Sequence, residues 1–148
     1  MLILDTDLLT LVQRKEGEAY ARLAARLEAV VKDEEICVTI ISCEEQMRGW
    51  LALIASGRNV EKQLDAYRRL HELFDDFHDQ TIIDFDRPAL QIFQQLKATV
   101  RVGSMDLKIA AIALANHAKL LSRNLKAFRK VPDLRVEDWT IGQELSPS

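Results

Sequence analysis

Short apolar runs alternate along the chain with longer stretches in which apolar residues recur every three or four positions. The first run is "LIL" (Leu2–Leu4), and the second, "ICVTIIS" (Ile36–Ser42), is rich in β-branched residues. Runs of this kind, without polar alternation, are typical of strands buried on both faces of a parallel sheet. The same pattern predicts three further strands, at Thr81–Phe85, Lys119–Ser122 and Leu134–Trp139.

The stretches between these runs have the spacing of amphipathic helices. Helices are predicted over 8–14, 18–35, 44–56, 60–79, 88–100 and 105–120. Thr6 or Asp7 is expected to cap the first helix, and Ser42 with Glu45 matches a capping box for the third. In the helix at 60–79, one apolar stripe is predicted, formed by Leu64, Tyr67, Leu70, Phe74 and Phe77.

Strands that alternate with long helices predict an α/β protein, a three-layer α-β-α sandwich with a mainly parallel sheet of about five strands. The chain has 148 residues and no repeat or linker. We therefore expect one domain over residues 1–142 and a disordered tail over 143–148.

Composition narrows the class of protein. Apolar residues make up 48% of the chain, charged residues 29%, and the formal net charge is −3. This composition is typical of a globular protein. No secretory signal or membrane helix is expected, since the apolar run Met1–Leu4 is short and meets Asp5. The expected location is the cytoplasm, where Cys37 and Cys43 would be reduced core residues.

Acidic and amide residues follow the predicted strands at their carboxyl ends. Asp5 ends the first strand, and Glu44 and Glu45 follow the second. Asn124 follows the fourth strand, and Asp106 opens the helix rich in small residues. The carboxyl ends of parallel strands meet at one rim of the sheet, where ligands bind. We therefore expect these side chains to converge although they are distant in sequence.

Each of these residues also has a structural explanation. Asp5 or Asp7 can be a helix cap, Glu45 the acid of a capping box, and Asn124 a turn residue. Asp106 can be a first-turn acid that favours the helix dipole. Helix caps, however, occur at both ends of the strands, whereas all of these positions fall on the one rim where the strands have their carboxyl ends. Clustered carboxylates need a counter-charge, and a hard divalent cation supplies one. Such a cation also polarises a phosphodiester and lowers the pKa of a bound water, so the cluster points to metal-dependent hydrolysis of phosphodiesters.

Four segments together resemble the PIN-domain family, in particular the small VapC-type toxins of bacterial toxin–antitoxin pairs. "LILDTDLL" resembles the first strand of the family and its first metal-binding acid. "TIISCEEQMRG" is similar to the second motif, a small polar residue and then a glutamate four places before a glycine. "GSMDLKIAAIAL" and "LLSRNLKAFRKVPDLRVEDW" are similar to the third and the C-terminal motifs.

The resemblance implies an endoribonuclease that depends on Mg²⁺ or Mn²⁺, with a small protein antitoxin as inhibitor and a homodimeric state. Asp5, Glu45 and Asp106 would bind the metal directly or through water, and Asn124 would position the metal or the attacking water. The register of the second motif selects Glu45 over Glu44. Supporting positions are assigned to Asp7, Ser42, Glu44 and Ser122, with Ser42 expected to orient Glu45.

One position departs from the family pattern. Many members carry a fourth acid before the phenylalanine of the last motif, and here that position is Ala127, before Phe128. Asp7 or Glu44 could compensate, although Glu44 points about 100° away from Glu45 on an ideal helix. Ala127 also supports an alternative, a PIN-fold module with weakened catalysis that binds RNA or protein. A nucleotide-binding domain is a weaker alternative, because no G-x-G-x-x-G or P-loop follows the first strand.

A basic flank surrounds the last motif. A ribonuclease must hold a polyanion beside an acidic site, so basic residues at the rim are expected to contact RNA. The predicted RNA-binding residues are Arg123, Lys126, Arg129 and Lys130. A solvated surface of lysine and arginine explains the same residues equally well.

Overall fold

The structure, a computed structural model that describes residues 1–57 and 59–142, alternates strands with helices. Its strands are β1 (Leu2–Leu4), β2 (Ile36–Thr39), β3 (Thr81–Ile83), β4 (Lys119–Leu121) and β5 (Val136–Glu137). Its helices are α1 (Thr6–Arg14), α2 (Gly17–Val30), α3 (Ile40–Ala55), α4 (Val60–His78), α5 (Arg87–Thr99), α6 (Ser104–Ala115) and α7 (Leu125–Phe128).

The strands form one parallel sheet in the order β3-β2-β1-β4-β5. In this register Ile3 of β1 lies beside Cys37 of β2 and Leu120 of β4. The chain first builds outward from β1 through β2 and β3 and then returns to the other side of β1 with β4. Such a reversal opens a crevice at the carboxyl ends of the two central strands.

Two apolar layers cover the sheet, as alternation of side chains along a strand requires. One face carries Ile3, Cys37 and Leu120 against residues of α5 and α6. The other face carries Leu2, Leu4, Val38 and Leu121 against residues of α1 and α2. The predicted three-layer α/β sandwich with a parallel sheet of five strands is therefore confirmed.

The helix caps differ from the prediction at three places. Asp5 caps α1 in place of Thr6 or Asp7, and its carboxylate accepts the Thr6 backbone N–H at 2.8 Å, which confirms the alternative interpretation of Asp5 as a helix cap. β2 ends at Thr39, whose hydroxyl accepts the Ser42 backbone N–H at 3.2 Å, so the predicted Ser42–Glu45 capping box is wrong. α6 begins at Ser104, one residue before the predicted helix start at residue 105, and its N-cap is Gly103.

Two helices are shorter than predicted. α2 ends at Val30 instead of residue 35, and α6 ends at Ala115 instead of residue 120. The sequence pattern did not indicate α7, a single turn. The prediction of a disordered tail over 143–148 lies outside the described residues.

Both cysteines are free and buried, as predicted. Burial raises the pKa of the Cys37 thiol to about 11, so it stays protonated at neutral pH. Cys43 lies on α3, not on a strand, because β2 ends four residues earlier.

The predicted apolar stripe of α4 is largely exposed. Leu64, Tyr67 and Phe74 are 71%, 55% and 58% exposed, whereas Ala66 and Leu73 are buried. α4 packs mainly against α3. Contact with a single helix covers less of the apolar surface of α4 than contact with a sheet would. In the part of the chain that the structure describes, no helix is long and apolar enough to cross a membrane.

Candidate functional site

Asp5 lies where the two central strands end. It is 7% exposed, and it follows β1 directly. One carboxylate oxygen accepts the Thr6 N–H at 2.8 Å, and the other accepts the Ser122 hydroxyl at 2.8 Å. Because Ser122 follows β4, this bond joins the ends of the two strands that flank the crevice. The predicted supporting residue Ser122 is therefore a direct partner of the predicted metal-binding acid.

Glu45 reaches the same rim from α3. Its Oε1 accepts the Thr6 hydroxyl at 2.9 Å, and the Thr6 and Ser42 hydroxyls lie 2.8 Å apart. Ser42 is fully buried and acts on Glu45 through Thr6. Thr6 was not predicted as a site residue. The signal in the sequence is a hydroxyl residue directly after the first acid, a position that a helix cap also explains.

Asp106 occupies the first turn of α6 and is half-buried. Burial raises the pKa of its carboxyl. The charge of Asp106 in turn raises the pKa values of both Asp5 and Glu45. A charge acts on both groups only if it is near both, so the fold brings the three predicted acids into one electrostatic environment.

Burial is the largest cause of the raised pKa of Asp5, with smaller contributions from the charges of Asp106 and Asp7. The hydrogen bonds from Ser122 and Thr6 act in the opposite direction. For Glu45 the same ranking holds: burial raises its pKa most, the Thr6 hydroxyl lowers it, and neighbouring carboxylates raise it. The site therefore holds excess negative charge that protonation or a cation would relieve.

The other predicted site residues differ in their surroundings. The Asn124 backbone N–H donates to the Ser122 hydroxyl at 2.9 Å, and that hydroxyl donates to Asp5. Asn124 is therefore linked to Asp5 through Ser122. Glu44 pairs with Arg48 at 2.6 Å along α3, and its charge raises the pKa of Glu45. Glu44 thus acts on the site from its edge.

Arg123 is not a free basic residue of the flank. Its guanidinium donates two hydrogen bonds to Asp7, at 2.6 and 2.8 Å. The remaining predicted RNA-binding residues, Lys126, Arg129 and Lys130, are exposed on and after α7.

The donor set suits a hard cation bound largely through water. Within residues 1–57 and 59–142, no group of three His, Cys, Asp or Glu side chains is placed to hold a metal ion directly. Mg²⁺ commonly keeps several waters and contacts only one or two protein carboxylates. Asp5, Glu45 and Asp106 offer only oxygen donors and share excess negative charge, so these residues fit a hydrated ion.

Comparison with known proteins agrees with this fold. The family model described as "PIN domain" matches residues 2–134. The chain is 27% identical over 142 residues to "Ribonuclease VapC2" of Rickettsia felis, covering 93% of this chain and 96% of the relative. It is 24% identical over 140 residues to "Ribonuclease VapC1" of Haemophilus influenzae, covering 93% of this chain and 97% of the relative.

A solved structure has the same fold at low sequence identity. VapBC-1 from nontypeable Haemophilus influenzae superposes with a TM-score of 0.71 at 20% identity, covering 95% of this chain and 98% of that one. At this identity the similarity shows the fold alone.

Proposed function

Because the chain belongs to the PIN-domain family, we propose that it is a metal-dependent endoribonuclease, the toxin of a type II toxin–antitoxin pair. The observation that supports this proposal is the hydrogen-bonded arrangement at the strand ends, in which Ser122 holds Asp5 and Thr6 holds Glu45. The charge of Asp106, which raises the pKa values of both carboxyls, adds to it. The likeness to two VapC ribonucleases over nearly the whole chain supports it.

In this proposal Asp5, Glu45 and Asp106 would hold Mg²⁺ or Mn²⁺ directly or through water. The bound ion supplies a more acidic water and charge stabilisation at the phosphodiester. Thr6 holds the Glu45 carboxylate through its 2.9 Å hydrogen bond, and Ser42 supports Thr6. Ser122 holds Asp5 and, through the backbone N–H of Asn124, the start of α7. Asn124 would position the attacking water or the metal.

The test is cleavage of single-stranded RNA with Mg²⁺, with and without chelator. Asp5→Asn, Glu45→Gln and Asp106→Asn should each lower kcat by about a hundredfold or more, because each removes one charge from the site. Glu28→Gln and Asp33→Asn are matched controls, since both residues are exposed and lie far from the rim in the fold. Activity that survives all three site substitutions contradicts the proposal.

Ala127 supports a second candidate, a PIN-fold module that binds RNA or protein with little catalysis. This position lacks the acid that many family members carry. Calorimetric titration with Mn²⁺ separates the two candidates: heat of binding at millimolar metal that is lost in Asp106→Asn supports the nuclease, and no binding supports the module.

The proposal extends to partners and location. A small antitoxin, a homodimer and a cytoplasmic location follow from the resemblance to VapC-type toxins, and two VapBC structures share the fold. A single domain over residues 1–142 belongs to the same proposal. Co-expression with the product of the reading frame directly upstream tests the antitoxin: it should bind this chain and suppress cleavage of RNA.

A further inference from the structure

Three hydroxyl side chains form a hydrogen-bonded network that ends on Glu45. Thr39 Oγ1 donates to Ser42 Oγ across a long contact of 3.5 Å, and the Ser42 and Thr6 hydroxyls lie 2.8 Å apart. Thr6 Oγ1 then donates to Glu45 Oε1 at 2.9 Å. Thr39 and Ser42 are both fully buried. This hydroxyl network of Thr39, Ser42 and Thr6 connects the end of β2 to the first turn of α3 and to the start of α1.

The two ends of the network fix the direction of every hydrogen bond in it. At one end the Ser42 backbone N–H, which can only donate, is accepted by Thr39 Oγ1 at 3.2 Å. At the other end Glu45 Oε1 accepts the single proton of the Thr6 hydroxyl. The Thr6 oxygen must therefore accept from Ser42, and the Ser42 oxygen accepts from Thr39. Each hydroxyl accepts one hydrogen bond and donates one, and all three donate in the direction of Glu45.

Capping of α3 does not by itself explain the hydroxyl of Thr39. A helix cap needs only an acceptor for the Ser42 N–H, and an aspartate carboxylate supplies one as well as threonine does. A hydroxyl accepts that N–H and at the same time donates a proton to a neighbour. Thr39 uses both capacities, since it also donates to the Ser42 hydroxyl. Hydrogen bonds in series polarise one another, so a donor at the far end strengthens the bond that reaches Glu45.

Thr39 lies at the same rim of the sheet as Asp5. In the sheet Ile3 is paired with Cys37, and Asp5 and Thr39 each follow their strand's member of that pair by two residues. The two residues therefore end neighbouring strands side by side. Groups carried by strands and helices hold a site more precisely than groups on loops, so the end of β2 is a firm origin for the network.

The network engages only one oxygen of the Glu45 carboxylate. Oε1 accepts the Thr6 hydroxyl, whereas Oε2 has no hydrogen-bond partner within residues 1–57 and 59–142. A hydrogen bond to one oxygen limits rotation of the carboxylate, and the position of the other oxygen is then limited as well. That other oxygen has the chemistry to bind Mg²⁺, Mn²⁺ or a water held by either ion.

From this arrangement we infer that Thr39 is a positioning residue for Glu45, which acts through Ser42 and Thr6 and orients the carboxylate for metal binding. The inference rests on the proposed metal-dependent function and extends it to a buried residue outside the acidic cluster. Removal of a partner that holds a metal-binding side chain typically weakens metal binding by about tenfold or more. Thr39 acts through two intervening hydroxyls, the first of them 3.5 Å away, so its effect should be smaller than that of Thr6.

Calorimetric titration with Mn²⁺ in the absence of RNA measures this effect without nuclease activity. Thr39→Val keeps the volume and the β-branched shape of the side chain but removes its hydroxyl. We expect Mn²⁺ affinity to fall about threefold in Thr39→Val and about tenfold in Thr6→Val. Thr39→Ser restores the hydroxyl and should bind Mn²⁺ as the wild type does. Thr140→Val is the matched control, since Thr140 is also buried and its hydroxyl donates to Asp138 instead of Glu45.

A double-mutant cycle shows whether Thr39 acts through the network. In a Thr6→Val background the last bond to Glu45 is absent, so Thr39→Val should cause no further loss of Mn²⁺ affinity. A further threefold loss there overturns the inference, because Thr39 would then act on the site by another route. Ser42→Ala interrupts the network but keeps the backbone N–H that Thr39 caps, so it replaces Thr39→Val in the cycle if that variant does not fold. Unchanged Mn²⁺ affinity in Ser42→Ala also overturns the inference.

Cleavage of single-stranded RNA separates this inference from the proposed function. If the wild type binds Mn²⁺ and cleaves RNA, but Thr39→Val binds Mn²⁺ as tightly as Thr140→Val does, Thr39 is only a helix cap and the nuclease stands. If Thr39→Val weakens Mn²⁺ binding as expected but the wild type cleaves no RNA, the nuclease is wrong and the positioning role remains. Absence of Mn²⁺ binding in the wild type overturns both. Agreement of both requires kcat to fall in Thr39→Val below metal saturation, with the KM for RNA unchanged.

Discussion

Asp7 and Arg123 form a two-point ion pair between residues 116 positions apart in sequence. Arg123 Nε lies 2.6 Å from Asp7 Oδ2, and its Nη2 lies 2.8 Å from Oδ1. The pair connects the first turn of α1 to the turn between β4 and α7, at the rim of the candidate site. Because the Arg123 guanidinium already balances the charge of the Asp7 carboxylate, Asp7 is a poor replacement for the acid that Ala127 lacks. The Arg123 guanidinium is likewise paired with a side chain of the same chain.

The Asp7–Arg123 pair should contribute little to stability. Both side chains are about half exposed, and exposed ion pairs are typically worth about 0.2–1 kcal/mol. A double-mutant cycle with Asp7→Asn and Arg123→Gln, measured by urea unfolding, should give a coupling within that range. The coupling should fall in high salt, because salt screens exposed charges. A coupling of several kcal/mol would show that the pair is a structural anchor.

RNA affinity should depend on the exposed basic residues rather than on Arg123. For single strands, each phosphate contact contributes about 0.7 to the slope of log affinity against log salt concentration. Replacing Lys126, Arg129 and Lys130 together by alanine should therefore lower that slope by about 2. The slope is measured with chelator present, so that RNA stays intact. Arg123→Ala serves as the comparison and should change the slope by less than the value of about 0.7 that one phosphate contact contributes.

Thr6→Val should separate positioning from folding. The substitution keeps the volume of the side chain but removes the hydroxyl that Glu45 and Ser42 share. Because that hydroxyl lowers the pKa of Glu45, we expect the pH profile of kcat to shift to higher pH and kcat at neutral pH to fall about tenfold. Thr6→Ser should restore both. The unfolding free energy should fall by about 1 kcal/mol, because the hydrogen bonds of the hydroxyl are lost. An unshifted pH profile contradicts this role of Thr6.

Without metal, Asp5→Asn should stabilise the protein at neutral pH. The pKa values of Asp5, Glu45 and Asp106 are raised above their ordinary values of 3.8 and 4.5, so folding favours the protonated forms. The stability that these groups contribute is present below about pH 4 and is lost as the pH rises through the raised pKa values. Asn caps a helix as well as Asp does, so α1 keeps its cap.

We expect the unfolding free energy of Asp5→Asn to exceed that of the wild type at pH 7 with chelator, because the variant carries no buried charge at this position. The difference should shrink as the pH falls through the raised pKa of Asp5 and disappear below the ordinary value of 3.8, where the carboxyl is protonated in both the folded and the unfolded chain. Urea unfolding at several pH values measures it. A wild type that is more stable than the variant at pH 7 without metal would contradict a burial penalty at this site.

Ala127→Asp should strengthen metal binding. The residue lies on α7, which begins at the Asn124–Ser122 turn beside Asp5, and an added carboxylate there increases the charge available to a cation. Calorimetry should show Mn²⁺ binding roughly tenfold tighter than in the wild type. Ala127→Asn is the matched control without the charge. Equal affinity in all three proteins would show that position 127 does not face the site.

The candidate acids could be ranked from the sequence, but their contacts could not. A parallel α/β pattern places the end of each strand on one rim, so Asp5, Glu44, Glu45, Asp106 and Asn124 were predicted together by topology. The resemblance to the PIN-domain motifs then selected Glu45 over Glu44. The Thr6 hydroxyl between Ser42 and Glu45 was not predicted, because its two partners lie more than 35 positions away. Periodicity describes one element at a time and carries no information on which distant side chain fills a hydrogen-bond position.

The same limit explains the exposed stripe of α4. The spacing of Leu64, Tyr67 and Phe74 predicted an apolar face, and that face exists. Which face a helix buries depends on its neighbour, and α4 rests on α3 with Ala66 and Leu73 instead. Helix ends were misplaced for a related reason, since Asp5 and Thr39 cap their helices from strand ends where several residues had suitable side chains.

The sequence by itself determined the α/β architecture, the buried parallel strands and the set of acids at one rim, because these follow from local apolar spacing and from the rule that joins parallel strands. Only the tertiary structure decided that Ser122 holds Asp5, that Thr6 holds Glu45, and that Asp7 engages Arg123. Those contacts join residues from different elements, and their geometry exists only once packing against the sheet has set the distances between them.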